Sequence, residues 1–303
     1  MEKVEIKSID GYKLDLHIFE SKEKKGIVQL IHGMEENQDR YSSFALFLSK
    51  QGYTVITSNL RGHGKNAPIL GFFDKKDGAK LLIKDQEIIL NYIKQRYKVK
   101  SIYLFAHSMG TIITRNLLQN NSMSYEKVVL TGYPNYRIGA IFGTWIANIL
   151  IFFKGPKYYS NFLHNRVTST FNSKVEKPKT NIDWLSYNEE NIKEYSNDEY
   201  CGESFKASAL KDLFILLRNM NKKKKYHNIN KNIKILMLRG ADDPCTGFDK
   251  GSKKSIKFLK KVGFFNINEK KYSNMRHEVL NEKNQQEVYT DIVNFYNQNN
   301  KGN

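Results

Sequence analysis

The sequence predicts an α/β fold in which a mostly parallel sheet is covered by helices on both faces. Short runs that are apolar throughout alternate with helix-length segments, as expected of strands buried on both sides. The first two strands instead alternate apolar and polar residues around Asp10-Gly11, which predicts a hairpin at the sheet edge. The predicted strands are Val4–Ile9, Leu14–Phe19, Gly26–Ile31, Tyr53–Ser58, Ile102–Phe105, Val128–Leu130, Ile235–Leu238 and Ile267–Tyr272, and the predicted helices of this alternation are Tyr41–Gln51, Gly78–Tyr97, Met109–Asn120, Lys250–Val262 and Asn284–Tyr296.

The alternation of strands and helices stops after Tyr133 and resumes at Ile235. The intervening segment contains tyrosines, asparagines and one apolar helix pattern, but no clear strand–helix–strand unit. We therefore expect an inserted cap, residues 134–228, between two parts of one core domain, residues 1–133 and 229–303. No internal repeat is visible.

Within the expected cap, residues 138–153 form the longest stretch without a charge. As a helix this stretch would be about 24 Å long, shorter than a bilayer core of about 30 Å, so it is not expected to span a membrane. It could pack on the core, or it could roof a substrate pocket with Phe142, Trp145 and Ile149 and touch lipid surfaces transiently, helped by Arg137 and Lys154. The apolar face of this helix would contain Ile138, Ile141, Phe142, Trp145, Ile149, Phe152 and Phe153, with Thr144 and Asn148 away from it.

The chain is strongly basic, with 49 Lys and Arg against 31 Asp and Glu, a formal net charge of +18. Because the lysines are scattered, a solvated surface is a simpler interpretation than a binding face. We expect no nucleic-acid partner, because no aromatic–basic motif is present. Cys201 and Cys245 lack the spacing of a zinc or redox motif. Residues 1–12 contain no apolar run typical of a signal peptide, so a cytoplasmic location is expected.

The strongest local signal is Phe105-Ala106-His107-Ser108-Met109-Gly110, which leads from a buried strand directly into a helix. This is the context of a nucleophile elbow, a strained turn that presents a serine hydroxyl at the carboxyl edge of the sheet. The turn needs very small residues two positions on either side of the serine. Gly110 satisfies this need and Ala106 nearly does, although glycine is usual there. We predict that Ser108 is a nucleophile rather than a helix cap.

A serine hydroxyl needs a base, commonly a histidine held by a carboxylate. Of the seven histidines, His277 lies between the last strand and the last helix, where the chain order Ser, Asp, His places the base. The loop after the strand at Ile235–Leu238 offers two acids, Asp242 and Asp243. We choose Asp243, because Pro244 would stiffen the backbone behind it, and leave Asp242 as a turn or capping residue.

The oxyanion of the tetrahedral intermediate needs backbone N–H donors. His32-Gly33-Met34 follows the third strand, where one donor is expected, and the residue after the nucleophile supplies another. The amides of Met34 and Met109 are therefore the predicted oxyanion hole. No metal or cofactor is expected.

With these residues in place, the chain resembles the monoacylglycerol lipase and lysophospholipase family of α/β-hydrolases, which groups with serine aminopeptidase S33-type hydrolases. The resemblance implies an α/β-hydrolase fold, an inserted helical cap over the active site, hydrolysis of single-chain acyl esters, and no cofactor. Glu36 and Arg40 match family positions near the site, although a structural ion pair between loop residues is at least as good an interpretation. The resemblance extends nearly end to end and rests on the elbow, His32-Gly33-Met34-Glu35-Glu36, Arg40-Tyr41, Leu60-Arg61-Gly62-His63-Gly64, Asp183-Trp184-Leu185-Ser186, Asp198-Glu199-Tyr200-Cys201-Gly202 and Arg276-His277-Glu278-Val279-Leu280-Asn281-Glu282.

The resulting hypothesis is a serine ester hydrolase that cleaves monoacylglycerols or lysophospholipids through an acyl-enzyme. A short-chain carboxylesterase or an acyltransferase would use the same triad, and fold alone does not separate them. A non-catalytic basic binding protein on this scaffold is a further alternative. The complete set of serine, histidine, acid and oxyanion loops argues against it.

Overall fold

A computed structural model of the protein describes residues 1–136 and 139–298, and within them eight strands form one sheet. The strands are β1 (Glu2–Lys7), β2 (Lys13–Phe19), β3 (Gly26–Ile31), β4 (Tyr53–Ser58), β5 (Ile102–His107), β6 (Tyr125–Thr131), β7 (Lys234–Gly240) and β8 (Asn266–Tyr272). Their order in the sheet is β1-β2-β4-β3-β5-β6-β7-β8. β2 pairs antiparallel with β1 and with β4, whereas the other neighbouring strands are parallel. The predicted fold class and the edge hairpin are confirmed.

Nine α-helices are present in the described ranges. They cover both faces of the sheet, and four of them come between β6 and β7 in the chain. They are α1 (Ser42–Lys50), α2 (Gly78–Tyr97), α3 (Met109–Asn121), α4 (Gly139–Lys154), α5 (Asn161–Asn172), α6 (Glu189–Asn197), α7 (Ala207–Met220), α8 (Phe248–Val262) and α9 (Gln285–Asn297). The predicted elements of the alternating core differ from these bounds by only a few residues at their ends.

Each face of the sheet carries its own hydrophobic core. One core lies under α2, α3, α7 and α8 and includes Leu90, Leu117 and Leu259. The other lies under α1 and α9 and includes Phe44 and Ile292. β4 is buried along its whole length because helices cover it on both sides. Helices thus hold the sheet from both faces, and the loops that follow several strands lie close together at its carboxyl edge.

The four helices between β6 and β7 reach from one sheet face to the carboxyl edge. α7 packs beside α3, where the Asn116 side chain donates to the Leu216 carbonyl at 3.0 Å. α6 lies over the edge, where the Tyr195 hydroxyl donates to the Glu35 carbonyl at 2.7 Å. The division into core and cap at residues 134 and 228 stays a prediction.

α4 packs on α7 through its small side chains, and its large apolar residues are not the ones that pack there. The buried residues of α4 are Ala140, Gly143, Thr144 and Ala147. A Cβ atom at Gly143 would lie 2.6 Å from the Phe214 ring, so the two helices approach too closely for any larger side chain. Thr144, expected away from the apolar face, is buried.

The large apolar residues of α4 therefore face outward. Of the expected face, Ile138 lies outside the described residues, as does the flanking Arg137. The other members, Ile141, Phe142, Trp145, Ile149, Phe152 and Phe153, are all exposed.

In the part of the chain that the structure describes, no helix is both long enough and apolar enough to cross a bilayer. α4, the most apolar of them in sequence, has 16 residues.

The close contact between α4 and α7 predicts different effects for two glycine substitutions in the same helix. Gly143→Ala should lower the free energy of unfolding by about 1–3 kcal/mol, because the added methyl group overlaps the Phe214 ring. Gly139→Ala is the matched control, since a Cβ there meets nothing within 4 Å, and it should be neutral or slightly stabilising. Urea unfolding of both variants measures the difference, and equal effects would contradict the packing described.

Candidate active site

Ser108 lies on a sharp turn between β5 and α3, at the carboxyl edge of the sheet. Its backbone has φ 46° and ψ −118°, a strained conformation for a residue with a side chain. Gly110 allows this turn to press against β3, because a Cβ at that position would lie 2.3 Å from the Ile31 carbonyl oxygen. Ala106, the departure from the usual motif, is fully buried without displacing the strand. The predicted elbow geometry is present.

The structure brings Ser108, His277 and Asp243 together from loops after three different strands. The Ser108 Oγ lies 2.8 Å from His277 Nε2, and His277 Nδ1 lies 3.1 Å and 3.2 Å from the two carboxylate oxygens of Asp243. With the proton on Nδ1 donated to Asp243, Nε2 is free to accept from the serine hydroxyl. This is the arrangement in which a histidine acts as a general base toward serine.

Asp243 and Asp242 occupy very different environments. Asp243 is fully buried, and its Oδ1 also accepts from the Cys245 amide at 2.8 Å. Asp242 is exposed and accepts a hydrogen bond from the Tyr187 hydroxyl at 3.1 Å, away from His277. The position of Asp243 makes it the only one of the two acids in contact with the imidazole.

Met34 and Met109, whose amides are the predicted oxyanion donors, line the same cavity as Ser108. Met109 is the first residue of α3, so its N–H has no partner inside the helix. Met34 follows Gly33, whose own amide donates to Glu36 Oε1. Glu36 therefore holds the backbone of the loop that presents the Met34 amide.

Arg40 lies between two buried carboxylates, Glu36 and Glu278. Its Nη1 donates to Glu36 at 2.7 Å and to Glu278 at 2.8 Å, and its Nη2 donates to Glu278 at 2.7 Å. Burial alone would raise the pKa of Glu278, but the guanidinium holds that pKa at about 2. Asn191 of α6 donates to Glu278 at 2.8 Å and so joins α6 to the same network. Glu36 and Arg40 thus form the structural ion pair that the sequence left open.

Two further histidines near the site stay neutral because they are buried. Burial lowers the pKa of His32 to about 4, and its Nε2 accepts from the Leu60 amide at 2.9 Å. Burial and, to a smaller extent, the neighbouring His277 lower the pKa of His107 to about 4. A hydrogen bond of 3.0 Å joins His107 Nδ1 to the Thr131 hydroxyl. Both rings pack and position loops instead of competing with His277 as a base.

Glu35 is a buried acid beside the predicted oxyanion loop, and sequence reasoning missed it. Its backbone is in the left-handed region, with φ 59°, and its carbonyl accepts from Tyr195 and from the Gly202 amide at 2.8 Å. Burial raises the pKa of Glu35 to about 8, and burial raises the pKa of the nearby Glu203 to about 9. Near neutral pH both carboxyl groups are largely protonated.

Three cavities adjoin one another at this site. The catalytic cavity, which is lined by Ser108 and His277, has about 650 Å³ of empty space, counting the part open to solvent. An apolar cavity shares Leu217 and Cys245 with it as wall residues. A polar cavity shares Glu35 with it and is also lined by His164, Asn165, Asn172, Ser173 and Asn181.

Of the three residues predicted to line the pocket, only Phe142 lines any of these cavities. It borders the apolar cavity, together with Gly143 and Phe214. Trp145 and Ile149 line none of the three, because the small residues of α4 face the interior and turn these side chains outward. A role for Trp145 and Ile149 at the substrate pocket stays a prediction.

Trp184 is a contact of the site that the sequence did not assign. Its ring centroid lies 4.7 Å from that of His277, and it lines both the catalytic and the polar cavity. The only sequence signal was its place in the stretch Asp183–Ser186, which resembles part of the family's cap. Gly132 is a second such residue, since a Cβ there would lie 2.8 Å from His277 Cε1.

Within residues 1–136 and 139–298, no group of three or more His, Cys, Asp or Glu side chains is arranged to hold a metal ion.

Comparison with protein families matches residues 22–284 to the family described as serine aminopeptidase, S33. The chain belongs to this family. The match includes all the residues of the candidate triad and the predicted oxyanion loops. The family-level resemblance drawn from the sequence motifs is confirmed.

Relatives of this S33 family member include a probable lysophospholipase L2 from Haemophilus influenzae. The two sequences are 29% identical over 109 residues, which make up 36% of this chain and 34% of that protein. The matched segment thus spans about a third of that relative. Among solved structures, a thermostable carboxyl esterase from Bacillus coagulans superimposes with a TM-score of 0.90 at 22% identity, covering 98% of this chain and 97% of that one. A monoglyceride lipase from Saccharomyces cerevisiae superimposes with a TM-score of 0.73 at 20% identity, covering 97% of this chain and 94% of that one. These structural likenesses establish the α/β-hydrolase fold.

The Arg40 network predicts a large loss of stability in the Arg40→Met variant. Two buried carboxylates would lose their counter-charge, which should lower the free energy of unfolding by about 3–5 kcal/mol. Arg96→Met is the control, because the exposed pairs of Arg96 with Glu2 and Glu20 should contribute only about 0–1 kcal/mol. Urea unfolding compares the two, and a small effect at Arg40 would show that the network is not required.

The raised pKa of Glu35 predicts a pH-dependent gain for Glu35→Gln. Folding favours the neutral carboxyl, so its contribution to stability is full below the usual pKa of 4.5 and is lost as pH rises toward about 8. Glutamine has no proton to lose. The variant should therefore gain stability relative to the wild type between about pH 5 and pH 8, on the order of 1–3 kcal/mol.

Melting temperatures at these two pH values measure this gain. An exposed control, Glu23→Gln, should melt with the wild type at both. A constant offset between Glu35→Gln and wild type across this range would mean that Glu35 is ionised throughout.

Proposed function

We propose that the protein is a serine ester hydrolase that cleaves single-chain acyl esters of the monoacylglycerol or lysophospholipid type. The observation that carries the proposal is the continuous line of hydrogen bonds from Ser108 through His277 to Asp243, with Ser108 and His277 lining the catalytic cavity. The lipases and esterases among the structural neighbours are compatible with it.

In this mechanism the Ser108 Oγ attacks the acyl carbonyl while His277 Nε2 takes the hydroxyl proton. Asp243 keeps the other imidazole proton on Nδ1 and stabilises the imidazolium that forms. The amides of Met34 and Met109 donate to the oxyanion of the tetrahedral intermediate. His277 then protonates the leaving alkoxide, and a water molecule, deprotonated by His277, releases the acyl group from Ser108.

The apolar cavity supports a single acyl chain as the group bound to Ser108. It shares Pro134, Leu217 and Cys245 with the catalytic cavity, and its walls are mainly side chains of α4, α5 and α7. A space of this kind binds one hydrocarbon chain by excluding water. Monoacyl esters are therefore the substrates we expect.

The polar cavity supports a hydrophilic leaving group. It opens on the other side of Trp184 and contains asparagine, serine and histidine side chains that can donate and accept hydrogen bonds. A glycerol or phosphoglycerol group would lie there while the acyl chain occupies the apolar cavity. The two directions out of the catalytic cavity thus match the two ends of an amphiphilic ester.

Hydrolysis of a substrate panel tests this proposal. Long-chain monoacylglycerols and lysophospholipids should be cleaved with a higher kcat/KM than p-nitrophenyl acetate, and triacylglycerols should be poor substrates. Preference for the acetate would support the short-chain carboxylesterase, and transfer to an added alcohol in preference to water would support the acyltransferase. Faster cleavage of amino-acid p-nitroanilides than of any ester would contradict the proposal.

The two neighbouring acids predict a sharp contrast between conservative variants. Asp243→Asn should lower kcat by about 10³-fold or more, because asparagine no longer holds the His277 proton on Nδ1. Asp242→Asn, which changes only an exposed hydrogen bond to Tyr187, should keep kcat within a few-fold of wild type. Ser108→Ala supplies the background rate. Equal losses in the two asparagine variants would remove Asp243 from the mechanism.

A further inference from the structure

Arg115 of α3 is a buried arginine that lacks a counter-charge within the described residues. It is only 2% exposed. Its Nε and Nη1 atoms are buried and have no hydrogen-bond partner in the part of the chain that the structure describes. A cation held in this state costs much free energy unless something supplies the missing acceptors, so the group points to a ligand that does so.

Three other arginines show how the same charge is accommodated elsewhere in this chain. The side chains of Arg40, Arg61 and Arg239 are at most 11% exposed, and each of them forms ion pairs with two different carboxylates. Burial of an arginine is thus regularly matched by acids of the chain itself. Arg115 is buried as deeply as these three and is the exception among them.

The Arg115 guanidinium lies behind two aromatic rings that are not fully buried. Its Cζ atom is 5.7 Å from the centroid of the Phe258 ring of α8, and the Tyr226 and Phe258 ring centroids are 5.9 Å apart. Both of these residues are half-buried. Burial lowers the pKa of Arg115, and the Tyr226 hydroxyl, not a carboxylate, is the group that opposes this change. Two half-buried rings therefore separate an unbalanced charge from solvent.

The chain beside Arg115 is basic as well. Gln119, one turn further along α3, donates at 2.9 Å to a main-chain carbonyl at the end of α7, which brings the following lysine run alongside. Within that run, burial lowers the pKa of Lys222, and so do the positive charges of Arg218 and two neighbouring lysines. Positive charges that repel one another in this way favour an anion among them.

α8 adds positive charge around the same rings. Lys254 and Lys261 lie one turn before and one turn after Phe258 on the same side of the helix, and both are exposed. The one acid in the sequence of α8 is Asp249, which pairs with Arg239. The lysines of α8 therefore raise the positive potential outside the buried guanidinium.

We propose that Arg115 and the basic residues around it bind a phosphate group. The guanidinium would donate hydrogen bonds to the phosphate oxygens, a pairing to which its planar set of donors is well matched. Several positive charges at one place favour a doubly charged phosphate over a carboxylate, which carries a single charge.

This phosphate site is separate from the candidate active site. Arg115 lies seven residues after Ser108, about 10 Å along the axis of α3. Binding of phosphate there requires no hydrolysis, so this proposal does not depend on the proposed function and can fail without it.

Titration calorimetry of the full chain tests the proposal. Inorganic phosphate, at mildly alkaline pH where it is mainly a dianion and at constant ionic strength, should bind saturably with one ion per chain. Glycerol 3-phosphate is titrated in parallel, since a phosphate monoester offers the same chemistry. Tighter binding of the ester would assign the site to organic phosphates, and tighter binding of the free ion would assign it to inorganic phosphate. Acetate should bind at least tenfold more weakly than either.

The variant Arg115→Met removes the charged donors and keeps an unbranched side chain that fits a buried position. It should bind phosphate at least tenfold more weakly than wild type, because charge-assisted hydrogen bonds are lost. Arg96→Met is the matched control, since this exposed guanidinium already pairs with Glu2 and Glu20, and it should bind like wild type. Arg115→Lys keeps the buried charge without the planar donors and should lose several-fold, which provides a second variant if the methionine variant fails to fold.

Two double variants of α8 test the contribution of the surrounding charge. Lys254→Gln/Lys261→Gln should weaken phosphate binding a few-fold at low salt, because both lysines flank Phe258. Lys253→Gln/Lys260→Gln removes the same charge from the same helix, but 100° per residue places these side chains more than a quarter turn further from Arg115. It should have the smaller effect.

Melting temperatures provide an independent measurement and verify that the variants fold. Without phosphate, Arg115→Met should melt at or above the temperature of wild type, because an unpaired buried charge is removed. Saturating phosphate should raise the melting temperature of wild type and of Arg96→Met, and should leave that of Arg115→Met nearly unchanged.

Four results would overturn the proposal. The first is the absence of saturable phosphate binding to wild type, and the second is binding of acetate as tight as that of phosphate. The third is full phosphate affinity in folded Arg115→Met, which would assign any binding to the exposed lysines. The fourth is an equal rise in melting temperature for all variants, which is the general effect of phosphate as a salt and needs no site.

Discussion

The buried ion pairs of Arg40 join the segments on which the candidate site depends. Glu36 fixes the loop that carries the Met34 amide, Glu278 follows His277 directly, and Asn191 brings in α6. Once these charges are desolvated, separating them costs far more than separating an exposed pair. The ion pairs, strengthened by the surrounding burial, therefore hold the predicted oxyanion loop in position relative to His277 and the Ser108 turn.

The three adjoining cavities give the candidate site two chemically different sides. Ser108 lies where an apolar space under α4 and a polar space beside Glu35 meet. An amphiphilic ester would be divided between them at its ester C–O bond, which is the bond the proposed mechanism cleaves. The same α4 that closes the apolar space with its small residues presents its large ones to the outside, so one helix connects the interior pocket to the exterior surface.

The sheet, the edge hairpin and the meeting of Ser108, His277 and Asp243 could be predicted because each has a local signature in the chain. The elbow is read from six consecutive residues, and the base and acid from their places after particular strands. The orientation of α4 could not be predicted. Helical periodicity tells which residues share a face, whereas the close approach of Phe214 to Gly143 decides which face packs. Likewise, nothing local marks Glu35 as buried, because the residues that donate hydrogen bonds to its carbonyl, Tyr195 and Gly202, are far away in sequence.

Mapping the adduct of a fluorophosphonate probe tests the central claim, that Ser108 is an activated nucleophile, most directly. The probe reacts with a serine only where a neighbouring base removes its proton and an oxyanion site receives the phosphoryl oxygen. Mass spectrometry of the digested protein should find one adduct, on Ser108, and none in Ser108→Ala. An adduct on another serine, or ester hydrolysis that continues with Ser108 unmodified, would contradict the account.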